Sequence, residues 1–369
     1  MKNPGRSSPA IDRLERRDLR DLKPYEPIML PGTLPQDAAI DGGAVVKLDG
    51  NENVYGCSPR VAAALRSYDQ YHIYPDPEQR DLRQALADYA NVDAASVLAG
   101  AGSDEVIDLL LRLVLEPGDS VITCVPTFGM YAFNTQVCGG RAIEVPRDER
   151  YQIDVRRVVE AIEPATKVIF IASPNNPTGT VTDRGVVEEL LDTGRLVVVD
   201  EAYYEFSGVT MADLVSRVDN LVVLRTFSKW AGLAGLRIGY GIMSPAFRER
   251  LMVIKPPYNI SAAAQVAALE SLGDIEYLMS TVRALVKERD RLYHRLQQIG
   301  FLEPVPSQAN FVLSHVSGLE AVTLQRELRK RGIYIRHFDT PLLKNSIRIS
   351  AGKPEHTDAV IDALKTWEG

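Results

Sequence analysis

The chain has 369 residues, 45% of them hydrophobic and 25% charged, with a formal net charge of -7. Such a length can bury a large core without covalent staples and has room for about two or three domains. The acidic balance argues against nucleic acid as the main partner, no run approaches the ~20 apolar residues of a membrane span, and Cys57, Cys124 and Cys138 show neither a disulfide nor a zinc pattern, which fits a reducing, cytoplasmic setting. The first 27 residues mix arginines with acids and lack an apolar core, as a solvated arm would; a transit peptide is the alternative. β-rich runs then follow at 96–102, 120–126, 141–146, 167–174, 195–203, 221–229 and 236–243, with helical patterns such as "SDEVIDLLLRLVLEPGD" between several of them. Several runs are continuously apolar, so their strands are covered on both faces. The expected class is α/β: a mainly parallel seven-stranded sheet sandwiched by helices. After about residue 260 two helical stretches, the second unusually long, lead to strand candidates at 310–316, 333–338 and 346–352. These suggest a smaller α+β C-terminal domain. The expected division is an N-terminal arm over 1–45, a large domain over 46–275 and a small domain over 276–369.

The chemically suggestive residues fall where strands end, the place where ligands bind in open α/β sheets. "GAGSDE" leads glycines into a helix that begins near Ser103 and Asp104, an anion site if not merely a cap. Phe128 in "PTFGMY" can lie against an aromatic ligand or belong to the core. Asn176 in "SPNNPTG" can bond a ligand or simply turn the chain. Asp200 follows four apolar residues in "VVDEAYYEF", and a carboxylate buried there needs a partner; a cationic ring nitrogen is one, with Tyr203 reaching the same ligand. Lys229 lies in the apolar "TFSKWAGLAGLRIGYG", between Ser228 and Arg237. Taken alone it reads as a snorkelling side chain, but a buried lysine can also be a nucleophile. Together, in strand order, these groups suit an aromatic pyridinium that carries a phosphate and an aldehyde, which is pyridoxal 5'-phosphate.

On these motifs, with "LDGNENVYG", "YPDPEQRDLRQALADY", "PPYN", "PSQANF" and "SIRISAG", the chain resembles fold-type I aminotransferases, and among them the histidinol-phosphate aminotransferase family, from "LKPYEP" to the C-terminus. The resemblance implies that Lys229 carries the cofactor as a Schiff base and that Asp200 faces the pyridine nitrogen. It assigns Tyr203 and Asn176 to the phenolic oxygen and Phe128 to ring stacking. Ser103, Asp104, Ser228 and Arg237 become the phosphate cup. Tyr55 crosses to the neighbouring site of a homodimer. Arg348 binds the carboxylate of the amino donor, with Tyr25 and Arg336 near the distal anionic end. The plain reading of Arg336 and Arg348 is an exposed strand charge; in "SIRIS" Arg348 shares a face with Ser350 and opposes Ile347 and Ile349. The implied reaction is amino transfer between the small molecules L-histidinol phosphate and 2-oxoglutarate in histidine biosynthesis, with no metal, nucleic acid or membrane partner. The alternatives on the same scaffold are an aromatic amino acid aminotransferase and a decarboxylase of a phosphorylated amino acid. A non-catalytic regulator is disfavoured by the intact lysine. The chain departs from the family at Val54 and Cys57, where proline is usual, and at Ala101, where a polar residue is usual.

Overall fold

A computed structural model describes residues 11–25, 27 and 45–367; most of the arm expected over 1–45 lies outside them. Within the described part of the arm, Arg16 Nη1 donates to the Val137 carbonyl (2.9 Å) and fixes the arm against the helix Met130–Val137.

The first strand, β1 (Val46–Lys47), stands apart from the main sheet. The seven apolar runs become β2 (Val97–Gly100), β3 (Ser120–Val125), β4 (Arg141–Pro146), β5 (Thr166–Ala172), β6 (Leu196–Asp200), β7 (Leu221–Thr226) and β8 (Gly239–Met243). They form one seven-stranded sheet in the order β2-β8-β7-β6-β5-β3-β4. All neighbours are parallel except those of β8, which runs against both β7 and β2. Between β7 and β8 lies only the short 3-10 turn Ala234–Leu236, not the crossover helix that a parallel return needs. Burial explains the continuous apolar runs. Val197 and Val199 of β6 pack into the core on one face, while Val198 packs with Val106 and Ile107 on the other. Both faces are helix-covered, so neither needs polar alternation.

The C-terminal part forms a second layer. β9 (Leu302–Pro304), β10 (Phe311–Val316), β11 (Ile333–Tyr334), β12 (Arg336–His337) and β13 (Ser346–Ser350) follow. β12-β13-β10-β9 is an antiparallel sheet, and β11 pairs in parallel with β1. The run 333–338, expected as one strand, is therefore two. Its halves hydrogen-bond to different partners, and the buried Ile335 marks the change. The long helix Ile275–Leu296 serves both cores: Leu278, Val282 and Leu285 pack in the first, Leu292 and Leu296 in the second. Val46 and Leu48 also pack in the second core, so the chain just after the arm is held by the C-terminal layer.

Candidate active site

The sheet's carboxyl edge opens into a cavity of about 400 Å³. Ser103, Asp104, Phe128, Asn176, Asp200, Tyr203, Ser228, Lys229 and Arg237 all line it, joined by Gly50 and Tyr131. Strand geometry brings them there: Asp200 ends β6, Asn176 follows β5, and Ser228 and Lys229 follow β7.

One end of the cavity is built for an anion. The helix Ser103–Val114 starts after Gly102, whose φ is +79° and which supplies no side-chain cap. Its apolar stripe, including Val106, Ile107, Leu110 and Leu111, is buried, so packing fixes where its unpaired N-terminal N–H groups point. Close approach here requires glycine. A Cβ on Gly102 would stand 2.5 Å from Arg237 Nη2, and one on Gly239 would stand 2.4 Å from the Ser103 nitrogen. Arg237 donates to Asp104 Oδ2 (3.0 Å) and to Ser228 Oγ (3.4 Å). Asp104 thus sets the guanidinium beside the first turn of the helix. Ala101 needs no polar side chain, because its N–H donates to Glu105 Oε2 (2.6 Å), which also accepts from Asn259 Nδ2 (2.7 Å). Val54 and Cys57 pack, partly buried, against the first core.

At the other end Asp200 is 6% exposed. Tyr131 Oη donates to its Oδ2 (2.6 Å) and the Ala202 N–H to its Oδ1 (3.0 Å). Burial nevertheless pushes the carboxyl up to about 6, against the pull of those two donors. Among the described residues no cation is ion-paired with it, so a cationic nitrogen would relieve a real electrostatic cost. Tyr131 stacks on Phe170 (4.6 Å, 4°) and meets Phe128 edge-on (5.5 Å), which holds Phe128 over the cavity.

Lys229 Nζ donates to the Gly50 carbonyl (3.0 Å). Burial, and next the positive Arg348, bring its ammonium down to about 8. Tyr203 accepts a hydrogen bond from Asn51 Nδ2 (2.9 Å). Arg348 is not an exposed strand charge; it is 5% exposed. It donates to Asn176 Oδ1 (2.5 Å) and to the Asp49 carbonyl (2.6 Å), and its ring contacts are Phe311 (5.2 Å) and Phe338 (5.6 Å). Its buried Nε has no hydrogen-bond partner among the described residues. Arg336 stands directly opposite Arg348 across β12 and β13. Arg336 is half-buried, donates to the Pro27 carbonyl (3.3 Å), and lies outside the cavity lining. Tyr25 is 44% exposed and meets Phe128 edge-on (6.2 Å) at the cavity's margin. Tyr55 does not line the cavity; it packs on the first core with Lys353 Nζ 5.6 Å from its ring.

Sequence reasoning did not single out Tyr131, Asn51 or Asn175. Asn175 holds the turn below Asn176 by accepting from Thr127 Oγ1 (2.8 Å) and donating to the Pro126 carbonyl (3.0 Å). Tyr131 sits in the first turn of the helix Met130–Val137, and no local signal marks its reach to Asp200, 69 residues away.

The family profile for aminotransferase class I and II matches residues 44–364. A histidinol-phosphate aminotransferase from Dehalococcoides mccartyi is 47% identical over 349 residues, 95% of this chain and 96% of the relative. A chloroplastic histidinol-phosphate aminotransferase from Nicotiana tabacum is 46% identical over 357 residues, 96% of this chain and 86% of the relative. Among solved structures, the histidinol-phosphate aminotransferase from Sinorhizobium meliloti in complex with pyridoxal-5'-phosphate superposes with a TM-score of 0.82 at 27% identity, covering 99% of this chain and 98% of that one.

Proposed function

Because the chain belongs to the aminotransferase class I and II family, we propose that it uses pyridoxal 5'-phosphate to move an amino group between L-histidinol phosphate and 2-oxoglutarate in histidine biosynthesis. One observation carries the reading: a single cavity joins an uncapped helix N-terminus with Arg237, a buried carboxylate with no ion-paired cation among the described residues, and a buried amine. That donor set fits the phosphate, the ring nitrogen and the aldehyde of the cofactor, in that order. Ser103, Ser228, Arg237 and the first-turn N–H of Asp104 would hold the phosphate, Phe128 the ring face, and Asn176 and Tyr203 the phenolic oxygen.

When bound, the cofactor supplies an aldehyde for an amine and a ring that takes up negative charge. The remaining steps are the chain's own. Lys229 would hold the aldehyde through its neutral amine and, when free, would hold or move the proton of the substrate α-carbon. Asp200, buried at the end of β6, would hold a protonated ring nitrogen. Arg348 binds the anionic end of the donor, with Arg336 and Tyr25 towards the distal end. A phosphate monoester carries nearly two negative charges at neutral pH. The buried Arg348, whose Nε has no hydrogen-bond partner among the described residues, therefore favours a phosphorylated donor over phenylalanine, whose one anionic group is a carboxylate.

The low basicity of Lys229 sets a pH dependence. A group whose folded value lies near 8 is half neutral there, whereas an exposed lysine stays almost wholly charged. Recombination of cofactor-free protein with pyridoxal phosphate, followed by stopped-flow absorbance, is expected to accelerate as pH rises to about 8 and then level off. A rate still climbing tenfold per pH unit up to 10 would place the amine in water.

The donor is tested by glutamate formation from 2-oxoglutarate with L-histidinol phosphate, phenylalanine or threonine phosphate. The expected order of kcat/KM puts histidinol phosphate first. A larger value for phenylalanine removes the biosynthetic assignment.

The same reading includes a homodimer in which Tyr55 crosses to the neighbouring site; its place outside its own cavity supports this. It also includes an arm over 1–45, a large domain over 46–275 and a small domain over 276–369. A cytoplasmic setting is supported by three free cysteines. No described helix is long and apolar enough to cross a membrane.

A further inference from the structure

Three consecutive residues thread past the reactive side chains. Arg348 Nη2 donates to the Asp49 carbonyl (2.6 Å), Lys229 Nζ to the Gly50 carbonyl (3.0 Å), and Asn51 Nδ2 to Tyr203 Oη (2.9 Å). The second layer holds this segment in place. The Leu48 N–H donates to the Tyr334 carbonyl (2.8 Å), the Ser350 N–H to the Leu48 carbonyl (2.9 Å), and Asn310 Nδ2 to the Asn51 carbonyl (3.0 Å). Asn51 is 1% exposed with φ +53°, in the left-handed region that asparagine tolerates better than most residues.

The hydrogen bonds around Asn51 have a direction. Ser350 Oγ accepts the Asn51 N–H (2.9 Å), so its own hydrogen is available, and it donates to Asn51 Oδ1 (2.8 Å). The amide's acceptor is thereby engaged and its Nδ2 faces Tyr203. A phenol oxygen that accepts from an amide keeps its own hydrogen for another partner. Tyr203 is fixed edge-on against Phe311 (5.2 Å, 83°) and lines the cavity. We propose that Asn51 is a positioning residue that, oriented by Ser350, makes Tyr203 a one-way hydrogen-bond donor toward the ligand in the cavity. Burial pushes the Tyr203 phenol up to about 12, while the Arg348 charge and the Asn51 hydrogen bond pull the other way, so the phenol keeps its hydrogen at neutral pH. The inference rests on the pyridoxal phosphate reading, in which the recipient is an anionic ring oxygen.

The test is a pH titration of the visible band of the bound cofactor in the wild type, Asn51→Asp, Asn51→Gly, Tyr203→Phe and the double variants. Aspartate keeps the side chain's shape but offers acceptors only. Glycine keeps the left-handed backbone and removes the side chain. Withdrawing the phenol's hydrogen leaves the ring oxygen more basic, so the ionisation reported by the band moves to higher pH. The expected rise is about one pH unit in Tyr203→Phe and Asn51→Asp, and smaller in Asn51→Gly. Adding either Asn51 substitution to Tyr203→Phe should raise it no further. If Tyr203→Phe moves the midpoint and neither Asn51 variant does, the inference falls and the site reading stands. Additive shifts in the double variants also overturn it, since Asn51 would then act without Tyr203. A wild-type protein that develops no visible band with pyridoxal phosphate overturns both.

Discussion

Lys229→Ala is expected to lower kcat by about 10⁴-fold or more and to abolish the pH-dependent visible band of the bound cofactor. No other lysine among the described residues lines the cavity. Lys47 is engaged by Asp49 and Glu52, and Lys353 lies against Tyr55. Arg237 and Arg348 are guanidiniums, which stay protonated and do not attack an aldehyde. The loss should come without unfolding. The only hydrogen bond of the Lys229 ammonium among the described residues is to the Gly50 carbonyl. Its folded value near 8, below the ordinary lysine range, means that burying the charge destabilises the fold. That cost is fully present below pH 8 and fades as pH rises toward 10.5, where the unfolded chain also loses the proton. The cofactor-free Lys229→Ala protein should therefore unfold at or above the wild-type urea midpoint at pH 7. A variant that loses activity and also unfolds much earlier would make Lys229 structural.

The second large effect is at Asp200, where function and stability are expected to move in opposite directions. Asp200→Asn should lower kcat by about 10²–10⁴-fold, because a neutral amide cannot hold a cationic ring nitrogen. In the cofactor-free protein the same change should be stabilising. The folded carboxyl stands at about 6 against an ordinary 3.8, so the fold holds its proton more tightly than the unfolded chain does. Stability then falls as pH rises from about 4 to 6, and the whole penalty is present above 6. Tyr131 Oη can still donate to the amide oxygen, but the Ala202 N–H loses its acceptor. The net gain at pH 7.5 is about 1–2 kcal/mol in urea unfolding, and it disappears near pH 4. A variant with full turnover would end the role proposed for Asp200. One destabilised at pH 7.5 would mean that a partner already balances the charge.

The seven strands were legible because β5, β6 and β7 are short, continuous, β-branched runs, and only a doubly covered sheet buries both faces of "LVVV". The reversal of β8 was not legible. It depends on the absence of a crossover helix between β7 and β8, and the small residues of "WAGLAGLR" do not signal that strongly. The strand-end residues could be read off because each sits within three or four positions of a run's end. Asp200, Asn176 and Lys229 duly meet in one cavity. Contacts made across long sequence separations could not be read. Tyr131 reaches Asp200 from 69 residues away and Ser350 reaches Asn51 from 299, and no local pattern encodes either. The split of 333–338 was hidden for the same reason, since its halves are defined by β1 and β13 rather than by their own residues.

The most direct measurement of the whole account is the visible spectrum of the reconstituted protein through two separate half-reactions. L-histidinol phosphate added alone is expected to bleach the band with release of one equivalent of the corresponding keto phosphate. After removal of excess donor, 2-oxoglutarate alone should restore the band and yield one equivalent of glutamate. A band indifferent to histidinol phosphate, or one bleached by it and not restored by 2-oxoglutarate, would contradict amino transfer between these two partners.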